Sequence, residues 1–182
     1  MPSESALELK KILLAIDKTI CVAESLTGGN LQSMITSVSG SSDYFDGGVT
    51  AYNIDQKVKL LKVDREHAAE VNCVSQQVAN EMAAGVRNLF GSFIGLATTG
   101  YAEPWPEKGI ESPLAFFAIN IGGWTTGDRV DGGDRSRVVM QKFVAETVMY
   151  QLIESFRRLE QMETAPAGLE EILLRSPDGG SS

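Results

Sequence analysis

The feature that most constrains the fold is the alternation of short β-branched segments with segments of helical periodicity. Residues 5–16 carry leucine and isoleucine at helical spacing, and a buried-strand pattern follows at Thr19–Ala23. Three further strand patterns read GGVTAY, FIGLAT and SPLAFFAINI. The last long helix is expected to begin near Asp134, because one apolar stripe continues from there to about Leu159. This alternation predicts a layered α/β domain with a largely parallel sheet.

Two features limit how regular this domain can be. The strand patterns on either side of Gly122 and Gly123 are close enough to form an antiparallel pair, so we expect a mixed, mostly parallel sheet. From Gln161 the chain becomes rich in Pro, Gly, Ser and Glu. We therefore predict one α/β domain over residues 1–160 and a flexible C-terminal tail over residues 161–182.

Charge and hydropathy disfavour two classes of partner. The formal net charge is -8, whereas a protein that follows a nucleic-acid backbone needs a basic face. The longest apolar run, Leu114 to Ile119, is far below the roughly 20 residues that span a bilayer. The first residues do not show a basic segment followed by an apolar one. The expectation is a cytoplasmic protein that binds neither nucleic acid nor membrane.

Cysteine and histidine, the usual zinc ligands, are few in this chain. The chain has two cysteines, Cys21 and Cys73, and one histidine, His67. These cannot supply a four-ligand zinc site of the usual kind, so we expect no metal, and no motif indicates another cofactor. A Ser-His-Asp triad would need His67, which lies in the charged helical segment DREHAAEV. That placement disfavours such a triad.

The first candidate loop is ESLTGG, which follows a buried strand and opens a helix. Ligands of α/β sheets bind at such places. Thr27 is positioned to cap the helix, and Gly28 and Gly29 leave backbone N–H groups open to a phosphate or carboxylate. The same residues also fit an ordinary capped turn with two permissive glycines.

The second candidate region surrounds the strand GGVTAY. Ser42 follows the helix end at Gly40, and Tyr52 ends the strand. Asn53 and Gln56 have capping-box spacing, which makes Lys57 the fourth residue of the next helix. A helix start and an apolar flank both favour a neutral amine, as a lysine base near pH 7 requires. A solvated lysine beside an ordinary turn is the alternative.

Four segments together resemble a known family. AESLTGG, SGSSDYFDGGVTAYNIDQKVKLL, VSQQVANEMAAG and GDRSRV occur in an order and at intervals similar to the C-terminal domain of the CinA (competence/damage-inducible) family. That family includes stand-alone nicotinamide-nucleotide amidases. The resemblance covers roughly residues 5–158. It implies a three-layer α/β/α domain, self-association, and hydrolysis of nicotinamide mononucleotide to nicotinate mononucleotide and ammonia.

The resemblance also implies roles for individual residues. Ser42 would be the nucleophile, and Lys57, helped by Tyr52, would move its proton. The residues that we assign to binding a nucleotide-like substrate are Ser25, Thr27, Gly28, Gly29, Thr99, Gly100 and Arg135. Among these, the TGG loop and Arg135 are assigned to the phosphate side.

Two departures from the family pattern concern the substrate. The family's flexible GIAGP-type loop here contains Glu103 and Trp105, and Val139 and Met140 stand where the family often has arginines. A glutamate that faces a phosphate repels it, while a tryptophan could close the pocket or offer a stacking surface. The alternative function is therefore a catalytically silent paralogue that binds a nucleotide-like ligand or a protein partner.

Overall fold

The structure, a computed structural model, describes residues 2–163. Two 3-10 turns lie at Ser41–Asp43 and Pro106–Lys108. The helices and strands run in the order α1 (Glu4–Ile16), β1 (Ile20–Glu24), α2 (Asn30–Thr36), β2 (Phe45–Thr50), α3 (Ile54–Leu61), α4 (Arg65–Glu70), α5 (Gln76–Phe90), β3 (Ile94–Tyr101), β4 (Leu114–Ile121), β5 (Trp124–Asp131) and α6 (Arg137–Glu163). Apart from the last three residues of α6, the tail predicted over 161–182 lies outside the described residues.

The five strands form one mixed sheet in the order β2-β1-β3-β4-β5. β1 is parallel to both of its neighbours, and the β4–β5 pair around Gly122 and Gly123 is antiparallel, as expected. β3 and β4 are antiparallel as well, so the sheet is less parallel than we predicted. The reason lies in the connection from β3 to β4, which contains a 3-10 turn and lacks the crossover helix that usually joins parallel strands.

Helices cover both faces of the sheet, which confirms the three-layer α/β/α arrangement. Side chains alternate along β1, with Ile20 and Val22 in one apolar core and Cys21 and Ala23 in the other. The first core is closed by α1, α2 and α6, and the second by α3, α4 and α5. Within the second layer α3 and α5 touch closely, since a Cβ on Gly85 would lie 2.0 Å from the Leu61 carbonyl oxygen. This contact fixes α3 against α5.

The chain direction produces a crevice at the carboxyl ends of β1 and β2. The helix after β1 packs on one face of the sheet, while the helix after β2 packs on the other. The two loops therefore separate, which is the arrangement that opens a ligand site in α/β sheets. Within residues 2–163 no helix is both long and apolar enough to cross a bilayer, and no group of three potential metal ligands is found.

Candidate functional site

A cleft of about 780 Å³ lies at this crevice. Its walls are the β1–α2 loop, the first turn of α3, the segment between α4 and α5, the end of β3, and the loop that follows β3 as far as Trp105. Arg137, the first residue of α6, also lines the cleft. Its volume is in the range of small-molecule sites.

Lys57 lies in this cleft as the fourth residue of α3, as the sequence predicted. The helix is capped by Asn53, whose side-chain oxygen accepts a hydrogen bond from the Gln56 N–H at 3.0 Å. The side chain of Lys57 turns inward, and only 1% of the residue is exposed. A lysine this buried is uncommon, because the charged form loses its hydration.

The Lys57 amine has three polar neighbours of two kinds. Nζ lies 2.7 Å from the Ala51 carbonyl oxygen, 3.2 Å from the Tyr52 carbonyl oxygen and 2.9 Å from Ser25 Oγ. Carbonyl oxygens only accept hydrogen bonds, whereas a hydroxyl also donates. A neutral amine has two N–H groups and one lone pair, so the carbonyls take the N–H groups. The lone pair is then left facing the Ser25 hydroxyl.

Burial also shifts the protonation of this amine. Desolvation lowers the pKa of Lys57 from 10.5 to about 8, and the neighbouring Cys73 sulfur opposes this shift. Burial raises the pKa of Cys73, so this sulfur is a neutral thiol near pH 7 and opposes the Lys57 shift only where it ionises at higher pH. At pH 7 roughly a tenth of the Lys57 side chains are then neutral. The sequence-based expectation of a depressed lysine pKa agrees with this direction.

Ser25 is held in place by its neighbours in the β1–α2 loop. The buried Glu24 carboxylate accepts hydrogen bonds from the backbone N–H groups of Gly29, Leu31 and Gln32 at 2.9, 3.1 and 2.9 Å. The Gly28 N–H donates to the Ser25 carbonyl oxygen at 3.2 Å. The loop is thus fixed on both sides of Ser25, and its hydroxyl is presented to the cleft.

Ser42 is not brought to Lys57, and the predicted contact between them is wrong. Ser42 lies exposed in the 3-10 turn before β2, where its hydroxyl donates to Asp43 Oδ1 at 3.5 Å. Lys57 follows β2. The six residues of this strand span about 17–20 Å, and residues that precede and follow one strand lie at opposite edges of the sheet.

Tyr52 reaches the cleft, but not in the expected way. Its ring is exposed, and its phenol oxygen accepts a hydrogen bond from Arg137 Nη2 at 2.8 Å. The phenol therefore pairs with Arg137 in this structure, while the backbone carbonyl of Tyr52 contacts Lys57. The expected proton relay through the phenol is not formed.

Two predicted binding residues on β3 do line the cleft. The Thr99 hydroxyl donates to the Cys73 carbonyl oxygen at 2.6 Å and so fixes the segment that carries Cys73. Gly100 lies beside it, and a Cβ there would approach the Leu114 carbonyl oxygen to 2.3 Å. A side chain at position 100 would therefore disturb the β3–β4 pairing.

The TGG loop does not offer the open donors that were predicted. Thr27 does not cap α2, because Gly29 is the N-cap residue and the Thr27 hydroxyl pairs with that of Thr98 at 2.7 Å. The N–H groups of Gly28 and Gly29 are taken by Ser25 and Glu24, respectively. The start of α2 is thus occupied by a carboxylate of the chain itself, and Thr27, Gly28 and Gly29 do not line the cleft.

Arg135 was also assigned to the phosphate side, and it lies outside the cleft. Its guanidinium stacks on the Phe143 ring at 3.8 Å and donates to the Gly132 carbonyl oxygen at 2.8 Å. Arg137, which sequence reasoning missed, lines the cleft instead. Both arginines lie in GDRSRV, so this motif correctly indicated a segment near the cleft but did not show which of its two arginines lines it.

The loop after β3 adds a carboxylate and an aromatic surface to the cleft. Glu103 Oε1 accepts from Arg137 Nη1 at 2.6 Å. The Tyr101 and Trp105 rings meet edge to face, with centroids 6.2 Å apart and planes at 71°. Backbone hydrogen bonds in both directions between Trp105 and Ile110, of 2.8 and 3.1 Å, close the loop. Of the residues that depart from the family pattern, Glu103 and Trp105 are therefore wall residues of the cleft, whereas Val139 and Met140 do not line it.

The fold and the cleft together define a three-layer α/β/α domain with a serine–lysine pair at the switch point of its parallel strands. Residues 3–156 match the CinA C-terminal domain, and the chain belongs to this family. The resemblance inferred from the four motifs is thereby confirmed.

Relatives and solved structures agree with the family assignment. A CinA-like protein of Synechococcus is 38% identical over 146 residues, which are 78% of this chain and 34% of that protein. A CinA-like protein of Chlorobium limicola is 46% identical over 105 residues, 58% of this chain and 24% of that one. The chain thus spans about a quarter to a third of the length of these relatives. The competence damage-inducible protein A structure from Klebsiella pneumoniae has a TM-score of 0.81 at 28% identity, and covers 85% of this chain and 96% of its own.

Proposed function

We propose that this chain is an amide hydrolase in which Ser25 is the nucleophile and Lys57 is its general base. The observation that carries the proposal is the 2.9 Å separation of Ser25 Oγ and Lys57 Nζ, with two carbonyl oxygens occupying the other sides of the amine. A serine–lysine pair is a recognised variant of the serine–histidine arrangement in acyl transfer. Ser25 replaces Ser42 as the proposed nucleophile because of this geometry.

The reaction follows from the positions of these two groups. Ser25 Oγ attacks the carboxamide carbon, and its proton passes to the Lys57 lone pair. The protonated amine then donates this proton to the leaving nitrogen, which departs as ammonia and leaves an ester on Ser25. Water attacks the ester, and Lys57 takes a proton from the water and returns it to Ser25 as the carboxylate product leaves.

We propose a pyridine carboxamide as the substrate, such as the nicotinamide group of a pyridine nucleotide or nucleoside. The resemblance to the nicotinamide-nucleotide amidases suggested nicotinamide mononucleotide, whose hydrolysis gives nicotinate mononucleotide and ammonia. Support comes from the size of the cleft and from the aromatic side chains beside the proposed reacting pair.

The test is ammonia release from pyridine carboxamides by the purified protein. Nicotinamide mononucleotide and nicotinamide riboside serve as substrates, and Ser25→Ala serves as the inactive control. We expect wild-type protein to release stoichiometric ammonia and carboxylate from at least one of them. Release that is equal in Ser25→Ala would remove Ser25 from the mechanism, and no release from either compound would contradict the proposed activity.

One observation favours a second candidate function, ligand binding without turnover. Glu103 neutralises Arg137 at the mouth of the cleft, which lowers the attraction for an anionic substrate. A protein that binds one of these compounds tightly and releases no ammonia would have this second function.

A further inference from the structure

We propose that the cleft selects a planar aromatic carboxamide that carries no phosphate, and that Glu103 makes this selection. The inference rests on the proposed function, because it names the substrate class of the same site. It follows from how the charges around the cleft are already paired, and from what the remaining wall offers.

Arg137 is the arginine that lines the cleft, and its guanidinium is engaged at both ends. Nη1 donates to the Glu103 carboxylate at 2.6 Å, and Nη2 donates to the Tyr52 phenol oxygen at 2.8 Å. These two terminal nitrogens form the fork that binds a phosphate in the usual two-point contact. A phosphate could reach them only by displacing Glu103, or by lying beside its negative charge.

The start of α2, which follows the loop that carries Ser25, is also occupied by a carboxylate. An α-helix N-terminus attracts anions through its free N–H groups and its dipole. At α2 the buried Glu24 carboxylate accepts three of those N–H groups. Two features that could bind a phosphate near this cleft are thus filled by carboxylates of the chain.

The remaining wall suits an aromatic ring. Trp105 is 41% exposed in the cleft wall, and its edge-to-face contact with Tyr101 and the closed Trp105–Ile110 loop hold it in position. A ring held this way offers a stacking surface without a large cost in side-chain entropy. Glu103 beside it attracts a cationic ring, such as an N-substituted pyridinium, tolerates a neutral ring and repels a phosphate dianion.

The experiment compares two compounds that differ only in a phosphate. Ammonia release is measured with nicotinamide riboside and nicotinamide mononucleotide for wild type, Glu103→Gln and Glu107→Gln. Glu107 is the matched control, since it lies exposed in the same loop and does not line the cleft. We expect wild type to prefer the riboside in kcat/KM by about tenfold or more, as one negative charge close to a dianion produces.

The two substitutions should distinguish an effect of the Glu103 charge from a general disturbance of the loop. Glu103→Gln is expected to raise kcat/KM for the mononucleotide about tenfold and to leave the riboside within about twofold, and high salt should shrink this gain. Glu107→Gln is expected to leave kcat/KM for both compounds at the wild-type values. A wild-type preference for the mononucleotide would overturn the inference. So would a ratio of kcat/KM for the mononucleotide to kcat/KM for the riboside that is the same in Glu103→Gln and wild type.

The inference and the proposed function fail in different ways. If no variant releases ammonia from either compound, the proposed function is contradicted, and calorimetric dissociation constants of the same two compounds decide the inference. Tighter binding of the riboside, with a gain for the mononucleotide in Glu103→Gln, supports it. Equal or tighter binding of the mononucleotide by wild type, or no binding of either compound, rejects it.

Discussion

Two loops of this domain each place a serine next to a carboxylate, and they differ in the edge of the sheet on which they lie. Glu24 ends β1 and Ser25 follows it, and both are buried at the carboxyl edge. Ser42 and Asp43 precede β2 and are exposed at the amino edge. In the first loop the carboxylate binds the start of α2 and the serine contacts a buried amine. In the second loop the two side chains share a 3.5 Å hydrogen bond.

Position in the topology decides which of the two serines can react. At the carboxyl edge the loops after β1 and β2 diverge to opposite faces and leave a cleft between them. Burial there removes the hydration of Lys57 and makes its amine a base near neutral pH. At the amino edge the 3-10 turn is solvated and has no such partner within the described contacts.

The largest difference between the two loops should appear in catalysis. Ser25→Ala is expected to lower kcat on the order of 10⁴-fold, because it removes the nucleophile. Ser42→Ala is expected to stay within about twofold of wild type. Both are measured as initial rates of ammonia release. Equal losses in the two variants would break the distinction between the edges.

Substitution of the buried lysine should have the second-largest effect. Lys57→Met is expected to lower kcat by roughly 10³-fold through loss of the general base. Lys59→Met is the matched control, since Lys59 is exposed on the same helix, and it should keep wild-type activity. Circular dichroism checks that both variants fold. An active, folded Lys57→Met protein would exclude Lys57 as the base.

The carboxylates of the two loops should differ in stability. Glu24→Gln is expected to lower the free energy of unfolding by roughly 2–4 kcal/mol, because a buried acceptor of three N–H groups is weakened. Asp43→Asn at the amino edge should cost less than about 0.5 kcal/mol. Urea denaturation of both variants measures the difference. A small effect of Glu24→Gln would mean that the β1–α2 loop is held by other contacts.

The pH dependence should report the buried amine. With a Lys57 pKa of about 8, kcat/KM is expected to rise about tenfold per pH unit below pH 8 and to level off above it, since the neutral amine is the reactive form. Its folded-state pKa is lowered, so the unfolded chain binds more protons between about pH 8 and 10.5. The contribution of Lys57 to stability therefore increases as pH rises through that window. A rate that is flat from pH 6 to 9 would contradict a lysine base.

The smallest effect should distinguish the two arginines of GDRSRV. Arg137→Gln frees Glu103 and Tyr52, and we expect KM to change by no more than about two- to fivefold because exposed ion pairs contribute little. Arg135→Gln, outside the cleft, should leave KM unchanged. Steady-state kinetics on the better of the two amides measures both. A larger effect at Arg135 would move the binding surface away from the cleft.

Much of the fold followed from local patterns. The alternation of strands and helices gave the layered architecture, and the Asn53 to Gln56 capping box placed Lys57 correctly at the fourth position of α3. The antiparallel β3–β4 pair was missed because the 102–113 connection has a suitable length for a crossover and only its lack of a helix excludes one.

The predicted contact between Ser42 and Lys57 is wrong because residues that are near in sequence are not near in space here. Ser42 and Lys57 are 15 positions apart, but a complete strand separates them. The predicted strand at GGVTAY already implied opposite edges, so this signal was available. The contacts of Arg137 could not be predicted from the sequence, because Arg137 and Tyr52 are 85 positions apart and meet through the packing of α6 beside the loops.

The central claim, that Ser25 and Lys57 form the reactive pair, is tested most directly by locating a covalent adduct. The protein is treated with a fluorophosphonate at pH 8.5 and digested, and the modified serine is identified by peptide mass spectrometry. We expect an adduct on Ser25 in wild type that is lost in Lys57→Met. An adduct on Ser42, or labelling of Ser25 that is unchanged in Lys57→Met, would contradict it.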